Sequence, residues 1–316
     1  MLSRRRFLGL LASARLAHPS SPAVKLESSQ VRPAPVADHP ILSGLQPVIG
    51  NARHVRLHPE KIKEVAGWMA YEELAWPDFR SPLIPQGRDP DTMDFIFLTS
   101  TINFAFTDFT SHTVFKVEYA GAERSDSEAM EACLKRAYDG GLPILEGSYL
   151  AAVTRKDLEG IFTGTIPIPM LDERVAIFRE VGRNLSERYQ GRFHRFVEAG
   201  PPRLYAGGTG LLERLLAEFP SFRDTSLYRG RRVAFQKRAQ LLWWSLHARF
   251  RAGTFFAVED PESLTVFADY ILPVALRLMG ITSYRPELEA AINQRKVIPA
   301  DSEEEIEIRA FTLWAC

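Results

Sequence analysis

Three stretches of the chain set charged groups among apolar ones. Asp269 stands between Leu264, Phe267, Ala268, Ile271 and Leu272, so a helix through this stretch buries its carboxylate at least in part. A buried carboxylate is costly unless a cation pairs with it or chemistry uses it. Phe219-Pro220-Ser221-Phe222-Arg223-Asp224 joins two expected helices and puts aromatic rings, a cation and a second carboxylate side by side. Gly230 to Gln240 then supplies Arg231, Arg232, Gln236, Lys237 and Arg238 around Val233, Ala234 and Phe235. Carboxylates fixed beside a cation can stabilise a developing positive charge or activate water. The structural alternative is an Asp–Arg pair, an Asp cap and a solvated cationic face.

Other chemistries lack their signatures. There is no His-x-x-x-His, Cys-x-x-Cys, Gly-x-Ser-x-Gly or phosphate loop ending in Gly-Lys-Ser/Thr. The 7 histidines are scattered, and Cys133 and Cys316 fit no redox or zinc spacing. No metal and no cofactor are expected. Gly207-Gly208-Thr209-Gly210 precedes a helix, where free N–H groups can hold a phosphate. The simpler reading is an interhelical turn with Thr209 as N-cap.

The elements that must carry these residues are mostly helical. Helical spacing of apolar residues predicts helices over 58–74, 171–189, 193–199, 211–219, 238–250, 264–279, 286–293 and 302–314. Ser125 to Glu128 and Thr154 to Asp157 read as capping boxes opening two more. Gly140-Gly141 stops the first of these, and Pro77 the helix from His58. Asp94 to Leu98, Ile102 to Phe106 and Val114 to Tyr119 read as strands of a small antiparallel β element near residues 94–119. The expected fold class is mainly α, with no fixed-period repeat.

The chain has 316 residues with 39 Lys+Arg against 39 Asp+Glu. Zero formal charge gives no global field to gather a polyanion or an acidic membrane. Hydrophobic residues at 46% and charged residues at 25% suit a folded globular protein. No run approaches the roughly 18 apolar residues of a membrane span. Residues 1–43, rich in Pro and Ser, read as a flexible leader or arm, with order beginning near Val48; 44–316 read as one helical domain. Met1 to Gly9 carries Arg4-Arg5-Arg6-Phe7-Leu8, a pattern similar to a twin-arginine leader.

From about His54 to Trp314 the chain resembles the queuosine salvage protein family, the queuosine 5′-phosphate N-glycosylases. The likeness rests on Asn103 to Phe106, Gly141 to Ile144, Phe219 to Asp224, Lys237 to Gln240, Thr265 to Tyr270 and Glu305 to Ala310, in that order and spacing. Thr107 and Ser245-Leu246-His247 depart from the pattern, where Trp and Asp-x-Trp are common.

The resemblance implies a helical bundle similar to helix-hairpin-helix DNA glycosylases, acting on a free mononucleotide. It implies cleavage of the N-glycosidic bond of queuosine 5′-monophosphate, giving queuine and ribose 5-phosphate, in the cytoplasm. Asp269 is then the carboxylate at the anomeric carbon, as nucleophile or as base for water. Asp224 holds the base or ribose hydroxyls, or exchanges roles with Asp269. Lys237 serves the phosphate or orients a carboxylate. Arg223, Tyr228 and Arg238 are further phosphate candidates. Asn103 bonds the guanine-like edge, Phe104 or Phe106 stacks on it, and Tyr270 joins the substrate-binding set. If 102–106 is a strand, both Phe side chains share one face and Asn103 the other. The alternatives are an N-glycosylase for another modified nucleotide, or a non-catalytic nucleotide- or tRNA-binding protein. No membrane partner or nucleic-acid polymer is required, and the oligomeric state is unassigned.

Overall fold

The computed structural model describes residues 39–72 and 81–316. The chain runs α1 (Gln46–Ile49), β1 (Val55–Leu57), α2 (Pro59–Met69), α3 (Asp89–Thr101), β2 (Lys116–Tyr119), β3 (Ala122–Ser125), α4 (Asp126–Asp139), α5 (Gly147–Ala152), α6 (Arg155–Ile161) and α7 (Leu171–Arg188). It continues α8 (Phe193–Glu198), α9 (Leu211–Glu218), β4 (Thr225–Tyr228), β5 (Arg231–Ala234), α10 (Lys237–Phe250), α11 (Leu272–Leu278), β6 (Thr282–Tyr284), α12 (Pro286–Asn293) and α13 (Glu303–Ala315). The fold is mainly α. Three two-stranded antiparallel sheets pair β1 with β6, β2 with β3 and β4 with β5.

The expected β element is corrected in its first half. Asp94 to Leu98 lie in the middle of α3, every residue of which from Asp91 to Thr101 is buried. A helix buried on all sides has no polar stripe, so its apolar run carries no 3.6-residue signature. Thr99, Ser100 and Thr101 return their hydroxyls to carbonyls three or four residues back, so their polarity needs no solvent. Ile102 to Phe106 is irregular, with Ala105 in the left-handed region. Thr107 and Val114 form an isolated bridge. Lys116 to Tyr119 is a strand as expected, with Ala122 to Ser125 as its partner.

Two helical expectations also change. The stretch 264–279 is helical only over Leu272–Leu278. Gln240 accepts both the N–H and the hydroxyl of Thr265, and Asp269 accepts the N–H of Ile271. These bonds hold 264–271 in an extended and turned path. Ser125 begins α4 without a side-chain cap, whereas Thr154 and Asp157 form the full capping box of α6. Of the expected helix over 58–74, Pro59–Met69 is helical; Leu74 and Pro77 lie outside the described residues. The hairpin β4–β5 turns at Arg229-Gly230, both at positive φ, as a two-residue hairpin loop requires.

The main core packs Phe97, Phe193, Phe196, Phe219, Phe222 and Trp243 against one another, with Phe97 and Phe193 stacked at 3.9 Å. A second core joins Ile41, Leu45 and Val48 to Tyr228, Phe235, Ala268, Ile306 and Ala310. Packing thus begins before Val48: His39 reaches the carbonyl of Ser263 at 3.0 Å. Residues 1–38, including Arg4 to Phe7, lie outside the described residues. No helix among the described residues is long and apolar enough to cross a membrane.

Candidate active site

The candidate site forms between the two cores, on connections and helix ends. Asp224 follows the 3-10 turn Pro220–Phe222 and precedes β4. Lys237 is the first residue of α10, after Gln236 in the left-handed region. Asp269 stands at the entry to α11, and Asn103 just after α3. Hydrogen bonds that cross the sequence hold Asp224, Lys237 and Asn103, and local ones hold Asp269.

Asp224 is fixed from three directions. Its carbonyl accepts the N–H of Phe235 at 2.9 Å, and its N–H donates to the Gln236 side chain at 3.0 Å. Its Oδ2 accepts the backbone N–H of Lys237 at 2.9 Å and the guanidinium of Arg309 at 2.6 Å. Asp269 accepts at Oδ1 from Ile271 N–H at 2.8 Å. Among the described residues, Oδ1 of Asp224 and Oδ2 of Asp269 have no hydrogen-bond partner. Each carboxylate is therefore anchored by one oxygen and presents the other.

Lys237 links the group. Its ammonium donates to Asn103 Oδ1 at 3.2 Å and interacts electrostatically with both Asp269 and Asp224. Burial pushes the Lys237 amine down to about 8; Asp269 and Asp224 pull the other way, while Arg238 and Arg309 reinforce the fall. Tyr270 is exposed beside Asp269, its hydroxyl 3.4 Å from Asp126.

Other expected site residues have structural partners. Arg223 donates to the carbonyls of Leu216 and Ala217 and so closes the end of α9. Tyr228 is buried, its hydroxyl bonded to Glu307 and to the Asn51 carbonyl. Arg238 donates to the carbonyls of Thr101 and Ser221, tying α3 to the 3-10 turn. Phe104 lies against the guanidiniums of Arg174 at 4.5 Å and Arg238 at 5.1 Å, and Phe106 against Arg174 at 5.5 Å. Arg174 itself is fully buried and donates to the carbonyls of Ile102, Phe104, Ala105 and Pro169.

The glycine turn at 207–210 already holds an anion. Glu213 accepts the N–H groups of Ala206 and Gly210, and Gly210, not Thr209, caps α9. Arg309, which touches Asp224, has no local sequence signal, although Glu305 to Ala310 belongs to the resemblance.

The mainly helical chain thus sets two half-anchored carboxylates beside a partly buried lysine, a candidate carboxylate-based site. A family model described as "Queuosine salvage protein" matches residues 83–316. The "Queuosine 5'-phosphate N-glycosylase/hydrolase" of Sphaerobacter thermophilus is 36% identical over 274 residues, covering 87% of this chain and 83% of that protein. The mouse protein of the same name is 31% identical over 276 residues, covering 84% and 80%. That of Schizosaccharomyces pombe is 30% identical over 282 residues, again covering 84% and 80%. The chain belongs to the queuosine salvage protein family.

Proposed function

We propose that this protein hydrolyses the N-glycosidic bond of queuosine 5′-monophosphate, releasing queuine and ribose 5-phosphate. The observation that carries the reading is the convergence of Asp224, Asp269 and Lys237, each from a different segment, with one carboxylate oxygen free on each aspartate. The relatives named for this activity align over most of the chain.

Glycosidic C–N cleavage develops positive charge on the sugar. Asp269, anchored through Oδ1, offers Oδ2 to the anomeric carbon, as nucleophile or as base for water. Asp224 Oδ1 takes ribose hydroxyls or the base edge. Lys237 and Asn103 act as a bonded pair, the ammonium holding the amide so that its NH2 faces the base. Queuine is a 7-deazaguanine and has no N7 to protonate as it leaves. Electrostatic stabilisation and positioning must therefore carry the rate. Tyr270 lines the rim.

In this reading the fold is a relative of the helix-hairpin-helix DNA glycosylases that takes a mononucleotide and works in the cytoplasm without nucleic acid. The deciding experiment follows queuine release from queuosine 5′-monophosphate by purified protein, with guanosine 5′-monophosphate and unphosphorylated queuosine alongside. No release from any of them sinks the hydrolase reading. Release from another nucleotide alone moves the specificity. Tight tRNA binding that weakens steeply with salt, without turnover, favours a binding protein.

A further inference from the structure

Asp224 and Asp269 sit on irregular segments, so neither the ladder of a sheet nor the frame of a helix sets their spacing. One side chain reaches both Asp224 and the peptide unit that leads into Asp269. Arg309 lies on α13, with its side chain only 16% exposed. Its Nη2 donates to Asp224 Oδ2 at 2.6 Å, and its Nε donates to the carbonyl of Ala268 at 3.2 Å. The third nitrogen, Nη1, lies 3.6 Å from Glu305 one turn earlier. The guanidinium face stacks on Phe235, 4.0 Å from the ring centre. Phe235 in turn donates its N–H to the Asp224 carbonyl.

The bond to Ala268 acts on Asp269. The carbonyl of Ala268 and the N–H of Asp269 belong to one planar peptide unit. The N–H is held by Phe267 O at 2.8 Å and the carbonyl by Arg309. Both edges of the plane that carries the Asp269 α-carbon are thus fixed. The side chain is further fixed through Ile271 N–H.

We infer that Arg309 is a positioning residue: its planar fork sets the distance between the Asp224 and Asp269 carboxylates and so places Asp269 against the anomeric carbon. This deepens the glycosylase reading and rests on it. Geometry, not charge alone, is what Arg309 supplies. A lysine there keeps the charge but cannot bond an aspartate and a carbonyl through two nitrogens held in one plane. Misplacement of a catalytic group by about 1 Å costs on the order of 10²-fold in rate.

The test compares wild type, Arg309→Lys and Arg309→Gln on queuosine 5′-monophosphate, reading kcat and KM separately together with a pH profile and thermal melting. Both variants should lose kcat by roughly 10–100-fold, with KM changed far less. The alkaline limb should move to higher pH in Arg309→Gln alone, because a cation that depresses the Lys237 amine is gone only there. Wild-type kcat in Arg309→Lys overturns the positioning role, and a loss confined to KM does the same. Should Arg309→Gln fail to fold, Arg309→Lys decides by its kcat. An inactive wild type refutes the glycosylase reading itself, and this inference falls with it; an active wild type with unaffected variants refutes the inference alone.

Discussion

A half-buried charge is what makes Asp269 visible in the sequence, because a carboxylate among apolar neighbours requires a partner. Asp224 and Lys237 stand beside aromatic residues and cations, and their roles come from the family resemblance. The structure supplies those partners and leaves one oxygen of each aspartate unengaged among the described residues. Arg309 is invisible by the same logic: an arginine on an amphipathic helix reads as surface, and its partner lies 85 residues away. Arg223 and Arg238 clamp backbone carbonyls, contacts that leave no trace in sequence spacing. Asp269→Asn keeps the shape and the Ile271 bond but removes the charge; its kcat should fall by about 10²–10³-fold with stability little changed. Near wild-type queuine release from that variant removes Asp269 from the mechanism. Lys237 gives a pH signature. Its amine is pushed down to about 8, so the ammonium is present below that pH and is lost as pH rises through it. Activity that depends on the ammonium should decline above about pH 8. Lys237→Met should be slower throughout and show no such limb; a limb that persists in it belongs to another group.

At the scale of elements, amphipathic helices such as α7 and α12 were legible because each buries one stripe. The α3 helix was not, since burial on every face erases the period. The 264–271 segment has helical apolar spacing but is not a helix, because its hydrogen bonds go to Gln240 and to its own Asp269. Element packing also has a point of extreme closeness. Gly147 on α5 and Gly182 on α7 let two backbones touch: a Cβ on Gly182 would lie 2.6 Å from the Gly147 carbonyl oxygen and would also strike the Ala151 nitrogen. No rotamer relieves a clash with backbone. Gly182→Ala should therefore destabilise by about 2–3 kcal/mol despite its better helix propensity. Gly160→Ala on α6 meets open space and should be neutral or stabilising by up to about 1 kcal/mol. Urea unfolding of the two variants separates the cases; equal midpoints would mean that the helices shift apart freely.

For the whole molecule, zero net charge is compatible with a mononucleotide substrate, because one phosphate needs local cations and no long-range field. What composition could not foretell is that the described residues near the start of the chain fold onto its last helix. β1 pairs with β6, and the α1 region packs on α13. Glu307 fastens this closure. It is fully buried and accepts the N–H groups of Arg53, His54 and Val55 and the hydroxyl of Tyr228. It lies with His54 and Glu303 in a cluster that could ligate a cation, but its oxygens already serve those four donors and Glu303 is paired with Arg229. A carboxylate that answers several buried N–H groups is strongly stabilising relative to an isostere that cannot, because the donors are then left unmet. Glu307→Gln turns an NH2 toward N–H donors. It should lower stability by about 2–4 kcal/mol in urea unfolding. Arg309 projects from another side of the same helix, so turnover well below the lowered melting temperature should change little. A variant that keeps its stability but loses turnover would reverse that assignment and place the Glu307 contacts in the mechanism.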